Sequence, residues 1–477
     1  MLFNSLIFAL FLPAVFGLYW GVGASRWRAQ NVLIIAASYL FYGWWDPRFL
    51  SLIILSSTVD YLLGLRIHRS EDDVARRRLL IASLSVNLGI LGVFKYFNFF
   101  VDSARVALES VGMAPPAIAL EIILPVGISF YTFQTLSYTI DIYRRKLQPV
   151  EEATTFFAFV AFFPQLVAGP IERAKRLLPQ FAKERTFDPV VASDGLRQML
   201  WGFVKKVLVA DNIAPYVELA FGAHESLDGV ALLCGALLFS VQLYCDFSGY
   251  SDMAIGMARL FGINLSQNFA YPYFARTMRE FWRRWHISLS TWFRDYVYIP
   301  LGGARVSSSR AATNVLIVFC VSGLWHGANW TFVVWGLLNG LYTLPALLGN
   351  QAVADEVVAA DNWLPSRSEL GAMCRTVLLW TLGLVFFRSD SLSHAFGFLG
   401  QGLSAPWSSS VDHGQFIAPL SLGFGLLVAE WFNRDRPHAL SIEAWPASLR
   451  WATYMILGLA LIIFGSVESR AFVYFQF

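Results

Sequence analysis

Charge is what this sequence lacks. Only 14% of its 477 residues are Asp, Glu, Lys or Arg, against about 25% in a soluble globular chain. With 56% apolar and aromatic residues and a mean hydropathy of +0.52, the chain is neither disordered nor an ordinary cytosolic enzyme. Net charge is 36 − 33 = +3, so no basic excess argues for nucleic acid as a partner. Cysteine is scarce too. Cys234, Cys245, Cys320 and Cys374 form no close pair, and three lie in apolar runs. That pattern predicts buried free thiols rather than disulfides or a zinc site, and no metal centre is expected. Soluble-enzyme signatures are missing as well. Gly127-Ile128-Ser129 is followed by Phe130-Tyr131, which breaks the G-x-S-x-G elbow, and no H-E-x-x-H, Walker A or complete G-x-G-x-x-G occurs. Serine hydrolase, zinc protease, ATPase and dinucleotide-binding readings are therefore unsupported.

Long apolar runs are what the chain has. A run of about 18 or more residues crosses a bilayer as a helix. Such runs fall at about 2–22, 31–45, 48–65, 79–101, 118–141, 199–221, 229–257, 329–348, 372–388, 416–432 and 451–468. The stretch 312–348 is 37 apolar residues interrupted by one polar cluster, long enough for a tight two-helix hairpin. Gly336 and Gly340 within it form a weak G-x-x-x-G helix-packing signal. No Lys or Arg precedes Arg26 and no small-residue cleavage site follows, so the first run reads as a retained span. The chain is an all-α polytopic membrane protein by this reading.

The positive-inside rule orients it. Arg26 and Arg28 follow the first span, Arg66, Arg69, Arg76, Arg77 and Arg78 the third, and Arg144, Arg145 and Lys146 the fifth. These are expected in the cytoplasm, with the N-terminus outside. No Lys or Arg lies between Lys206 and Arg259 or within 389–415, which predicts an outer turn near His224 to Asp228 and an outer loop. Residues 153–168 break the alternation: they are apolar but flanked by basic residues, with Pro164 inside and Gly169-Pro170 at the end. A re-entrant segment restores the topology, and such backbone survives only when buried in protein or lining a water-filled cavity.

Three polar clusters stand out, because ionisable residues within membrane segments are expensive and by default functional. The first runs from Tyr244 to Asp252. Asp246 and Asp252 are six residues apart, about 120° around a continuous helix, so they share no proton unless Gly249 breaks it. A structural network and the lining of a substrate path are both open. The second is Phe281 to Tyr296. Seven Arg against two acids across 273–310, interleaved with aromatics, read as an interfacial helix on the cytoplasmic face. It is either a membrane anchor or a site for a phosphate-bearing donor, which Arg binds bidentately. The third is Ser322 to Trp330, placing His326 at the apex of the hairpin between small residues, with Asn329 one helical turn away. A core histidine and a general base acting on a hydroxyl remain alternatives at this point.

In this order, the clusters resemble the membrane-bound O-acyltransferase family, in particular its bacterial exopolysaccharide branch of the alginate O-acetyltransferase type. The resemblance rests on LPVGISFYTFQ at 124–134, FPQLVAGP at 163–170, the Asp246 to Asp252 cluster, FWRRWHISLSTWFRDY at 281–296 and Trp325-His326-Gly327, with Phe386-Phe387-Arg388 beyond. It implies a ring of about 11–12 transmembrane helices with re-entrant segments around a central tunnel. One catalytic domain would fill 1–477, with N-terminal helices in 1–150, a core in 151–348 and C-terminal helices in 349–477. The family's histidines map onto His326 and His286, the expected catalytic residues. Arg283, Arg284, Arg294, Trp325, Asn329, Asp246 and Ser322 are the expected donor- and substrate-binding set. The donor is expected to be acetyl-CoA, with no permanently bound cofactor. The implied setting is the bacterial inner membrane, and the lipid bilayer is itself a partner. A periplasmic or membrane-anchored acetyltransferase of the serine-esterase type, within a polysaccharide synthesis and export complex, would receive the acetyl group. A non-catalytic transporter or scaffold is the competing class.

Overall fold

The computed structural model describes residues 1–113, 122–349, 357–360, 362–408, 410–465 and 470–473. Among these every regular element is a helix. Seven helices are long and apolar enough to cross a membrane: Pro47–Arg69, Asp73–Ser110, Gly229–Leu260, Trp330–Leu348, Arg367–Arg388, His413–Trp431 and Ala447–Phe464, with Leu6–Gly21 a shorter apolar helix. The all-α polytopic expectation stands. The predicted span 118–141 begins, and 451–468 ends, outside the described residues. The chain divides into two compact units, Met1–Ala192 with Met257–Leu265, and Ser193–Gly256 with Ser266–Phe477.

In the first unit the segment predicted to re-enter is a broken helix. Ala153–Ala161 is nine residues, about 14 Å at 1.5 Å per residue, too short for a core about 30 Å thick. Phe162 is extended (ψ 106°), and a single turn, Phe163–Leu166, follows. Phe156 and Ala158 to Phe163 are almost wholly buried, so the backbone opened by the break must find partners in protein. It does. The Phe159 carbonyl accepts amide protons from both Gln134 and Gln165 at 2.8 and 2.7 Å, and Phe163 N–H donates to Ser38 Oγ at 3.1 Å.

The second unit is organised by the 32-residue helix Gly229–Leu260. It is continuous through Gly249, so Asp246 and Asp252 stay on different faces. Its neighbour, Pro189–Phe203, passes into a wider π-type turn, Val204–Ala210, and continues as Asp211–Gly222. A Cβ on Gly202 would lie 2.6 Å from the Gly249 carbonyl oxygen, and one on Gly249 2.8 Å from that of Gly202. Only glycine permits this approach. It delivers two lysines of the π-type turn to the two aspartates: Lys205 Nζ to Asp252 at 2.7 Å and Lys206 Nζ to Asp246 at 2.6 Å.

The hairpin expected in 312–348 is present as Ser308–His326 and Trp330–Leu348, joined by Gly327-Ala328-Asn329. A Cβ on Gly336 would meet the Phe319 carbonyl oxygen at 2.3 Å, which gives the G-x-x-x-G signal its physical content. Two expectations need correction. The arginine-rich block is not one interfacial helix but two short ones, Met278–Arg284 and Ile287–Phe293, broken at Trp285-His286. Its aromatics are the reason: Phe281, Trp285, Leu289, Trp292 and Phe293 are buried, so the block folds into the unit instead of lying on a surface. The cysteines are free, but only Cys245 is buried; Cys234 and Cys320 are half-buried and Cys374 is exposed. An apolar run here has an outward face as well as an inward one.

Candidate active site

His286 and His326 come together in the second unit. Their ring centroids are 6.4 Å apart, and the side chains are 1% and 3% exposed. His326 is the last residue of the Ser308–His326 helix, at the negative end of the helix dipole, where a positive charge developing on the imidazole is stabilised. Aromatic rings enclose it: Trp325 and Trp335 each at 5.0 Å and Phe387 at 5.7 Å. The expected association of His286, His326 and Trp325 is thus a spatial one.

His286 sits at the break between the two short helices with φ 43° and ψ 54°, a left-handed conformation uncommon for a residue with a Cβ. The break is held by backbone pairing to the segment before it: Ala270 N–H donates to the Arg284 carbonyl and Ile287 N–H to the Asn268 carbonyl, both at 2.9 Å. Asn268, wholly buried, also orients the ring. Ser288 N–H, which can only donate, points at Asn268 Oδ1 at 3.3 Å, and Ser288 Oγ donates to the same oxygen at 2.9 Å. That oxygen faces His286 Nδ1 at 3.2 Å. Nδ1 therefore carries the proton and Nε2 is the basic nitrogen. The Phe247 ring packs edge-on against His286 at 4.7 Å.

The remaining predicted residues have other partners. Asp246 is held by Lys206 and by Val473 N–H at 2.7 Å. Asn329 is not a helical turn from His326, because the helix has ended. It caps the next helix, accepting from Thr331 N–H at 3.1 Å and donating to the Asp390 carbonyl at 2.8 Å. Ser322 is half-buried, one turn before His326. Arg284 donates to Glu280 at 2.8 Å and to the Ala270 carbonyl at 3.3 Å. Arg283 is exposed, and Arg294 is exposed and paired with Asp295 at 2.8 Å.

Sequence reasoning missed Asn268, Lys205, Lys206 and Glu430. Asn268 carries no composition signal. The other three were visible as charges inside predicted spans, since Lys205 and Lys206 lie in 199–221 and Glu430 in 416–432. Among the described residues no cluster of His, Cys, Asp and Glu is arranged to hold a metal ion. Two buried imidazoles in an aromatic enclosure suit proton transfer to or from a hydroxyl.

Comparison with known proteins places this geometry. The family model of MBOAT, the membrane-bound O-acyltransferase family, matches residues 144–365, which include both histidines. The chain is 38% identical to the probable alginate O-acetylase AlgI of Pseudomonas putida over the whole of both chains. It is 43% identical to the corresponding protein of Pseudomonas aeruginosa, over 83% of this chain and 73% of that one. A peptidoglycan O-acetyltransferase of Helicobacter pylori is 35% identical over 83% of this chain and 78% of its own. Full-length identity at this level, with the family match spanning the two-histidine site, carries the conclusion: the chain belongs to the membrane-bound O-acyltransferase family and is an acyltransferase embedded in a membrane.

Proposed function

We propose that the protein is an inner-membrane O-acetyltransferase that moves acetyl groups from cytoplasmic acetyl-CoA across the membrane for O-acetylation of an exopolysaccharide such as alginate. The observation that carries this reading is the pair of buried imidazoles 6.4 Å apart within an aromatic enclosure, in a chain related over its full length to alginate O-acetylases. The donor's phosphates meet the arginine-rich block, with Arg283 and Arg294 on its exposed side, and the thioester reaches towards His326. His326 takes the proton of the acceptor hydroxyl as its oxygen attacks the acetyl carbonyl. The new C–O bond forms, the C–S bond breaks, and the proton passes to the departing thiolate. His286, with Nδ1 fixed by Asn268, lines the path and orients the donor. On the far side a periplasmic or membrane-anchored partner of the serine-esterase type takes up the acetyl group for the polymer, as part of a synthesis and export complex.

Family membership sets aside the purely non-catalytic scaffold. A second glycan reading is favoured by one observation, the 35% identity to a peptidoglycan O-acetyltransferase. Acetyl content of each polymer in a strain lacking the protein separates the two. The test of the site is His326→Ala. Polymer acetylation should fall by at least about 100-fold, the lower range for removal of a general base, while the protein stays in the membrane. Retained acetylation overturns the assignment.

A further inference from the structure

The second unit holds another polar feature, a cavity of about 170 Å³. Its outer end carries the Arg470–Glu218 ion pair, in which the Glu218 side chain is 59% exposed, and its inner end reaches the buried Asp246. Some of the lining charge is already matched. Lys206 is shared between Asp211 at 2.8 Å and Asp246 at 2.6 Å. Three groups on the wall are not matched. Arg388 lies over the Phe221 ring at 5.7 Å, and among the described residues it makes no ion pair or hydrogen bond. Asp211 Oδ2 and Gln242 Oε1 are buried oxygens with no hydrogen-bond donor among the described residues. Asp211 is only 4% exposed. Buried polar atoms are normally hydrogen-bonded. A guanidinium beside two such acceptors complements a ligand that brings hydroxyl donors together with an anionic oxygen.

The cavity adjoins the two-histidine site through shared walls. Phe239 lines it, and its ring is 6.5 Å from that of Phe387, which packs against His326 at 5.7 Å. Arg388 is the next residue after Phe387. On the Gly229–Leu260 helix, Asp246 lines the cavity while its neighbour Phe247 meets His286. The charge rule assigns the turn that follows Glu218, at His224–Ser226, to the outer face, away from the side where the donor binds.

We propose that this cavity holds the acyl acceptor, and that the acceptor is a hydroxylated carboxylate, the end residue of a sugar-acid polymer. Arg388 takes the carboxylate; Asp211 and Gln242 accept from hydroxyls. The volume equals about five to six waters at ~30 Å³ each, room for one sugar residue rather than a length of chain. A neutral sugar leaves Arg388 without its anion. The proposal rests on His326 as the reaction centre, which the experiment below tests separately.

Full-length protein in lipid nanodiscs is titrated with a mannuronate trisaccharide and with its methyl-esterified counterpart. The wild-type protein should bind the acid at least about tenfold more tightly than the ester, as expected for a charge-assisted contact. Arg388→Gln should remove that preference and Arg388→Lys should keep part of it. His326→Ala should bind the acid like wild type while losing transfer. The proposal is overturned by equal affinity for acid and ester, by no measurable binding of the acid, or by unchanged binding in a folded Arg388→Gln protein. Thermal unfolding midpoints report folding. Should Arg388→Gln not fold, Gln242→Met replaces it, expected to weaken binding several-fold, and unchanged binding there counts against the proposal. Transfer retained in His326→Ala would remove the catalytic reading and leave the binding result to stand alone.

Discussion

Asp60 in the first unit and Asp246 in the second are both carboxylates within membrane-spanning helices, 0% and 1% exposed, and they are stabilised in different ways. Asp60 has neutral donors: Ser83 Oγ at 2.6 Å and Asn87 Nδ2 at 2.8 Å, with Ser56 Oγ donating to Asn87 Oδ1 behind them. These side chains come from Pro47–Arg69 and Asp73–Ser110, two spans that the network ties together. Asp246 and Asp252 instead face the ammonium groups of Lys206 and Lys205, and Glu430 lies 3.5 Å from Lys205 while accepting from Tyr244. Full charge is thus concentrated in the unit that carries the two histidines. Neutral donors join helices without fixing a charge pattern. Buried ion pairs fix one, and are unforgiving when half is removed.

That contrast is broken hardest at Lys206. Lys206→Met leaves Asp211 and Asp246, both buried, without their shared cation. Removing one partner of a buried pair costs about 3–5 kcal/mol, a large part of a typical stability. The purified variant should show a much lower thermal unfolding midpoint or fail to run as a single species. A midpoint near wild type would mean that the pair is not the constraint its geometry implies. Restoring neutrality with Lys206→Met, Asp246→Leu and Asp211→Leu together should recover much of the loss.

Legibility in the sequence follows the same division. Span length and charge asymmetry made the all-α polytopic fold readable, because a bilayer imposes both on the chain directly. The Trp325-His326-Gly327 hairpin was readable for a related reason: 37 apolar residues leave room for only one turn. The pairing of His326 with His286 came from resemblance, since 40 residues separate them and no local spacing brings them together. Asn268 was beyond reach, because it acts through a backbone segment whose pairing to Arg284 and Ile287 only the tertiary structure defines. Lys205 and Lys206 were within reach. A charge pair inside an otherwise apolar span is a signal in itself, and it was passed over in favour of denser clusters.

A smaller effect is expected at Asn268, and it bears on the catalytic half of the comparison. Asn268→Leu removes the oxygen that holds His286 Nδ1 and Ser288. Loss of a partner that fixes a functional imidazole lowers activity by roughly 10- to 100-fold at metal sites, and a fall of that order in acetyl transfer is expected. Asn268→Asp keeps the acceptor but adds a charge that favours the imidazolium, so the neutral base persists only at higher pH. The acid limb of the rate profile should then move upward in pH. A merely structural Asn268 would change stability and leave that limb in place.

The smallest effect belongs to Asp60, where the contrast is sharpest. Asp60→Asn keeps one carbonyl oxygen for Ser83 Oγ–H but turns an amide towards Asn87 Nδ2, also a donor. The clash is relieved if Asn87 flips, since its oxygen then meets the new amide and its nitrogen meets Ser56 Oγ, a hydroxyl that accepts as readily as it donates. The flip gives up the bond from Asn87 Nδ2 to the Ser83 carbonyl at 3.0 Å, one hydrogen bond of net worth about 1 kcal/mol. No charge is stranded, because no cation faces Asp60 in the network. Thermal unfolding should therefore place Asp60→Asn only slightly below wild type and far above Lys206→Met. Equal damage in the two variants would show that the Asp60 charge itself is needed, and the division between a neutral brace and a charged one would fail.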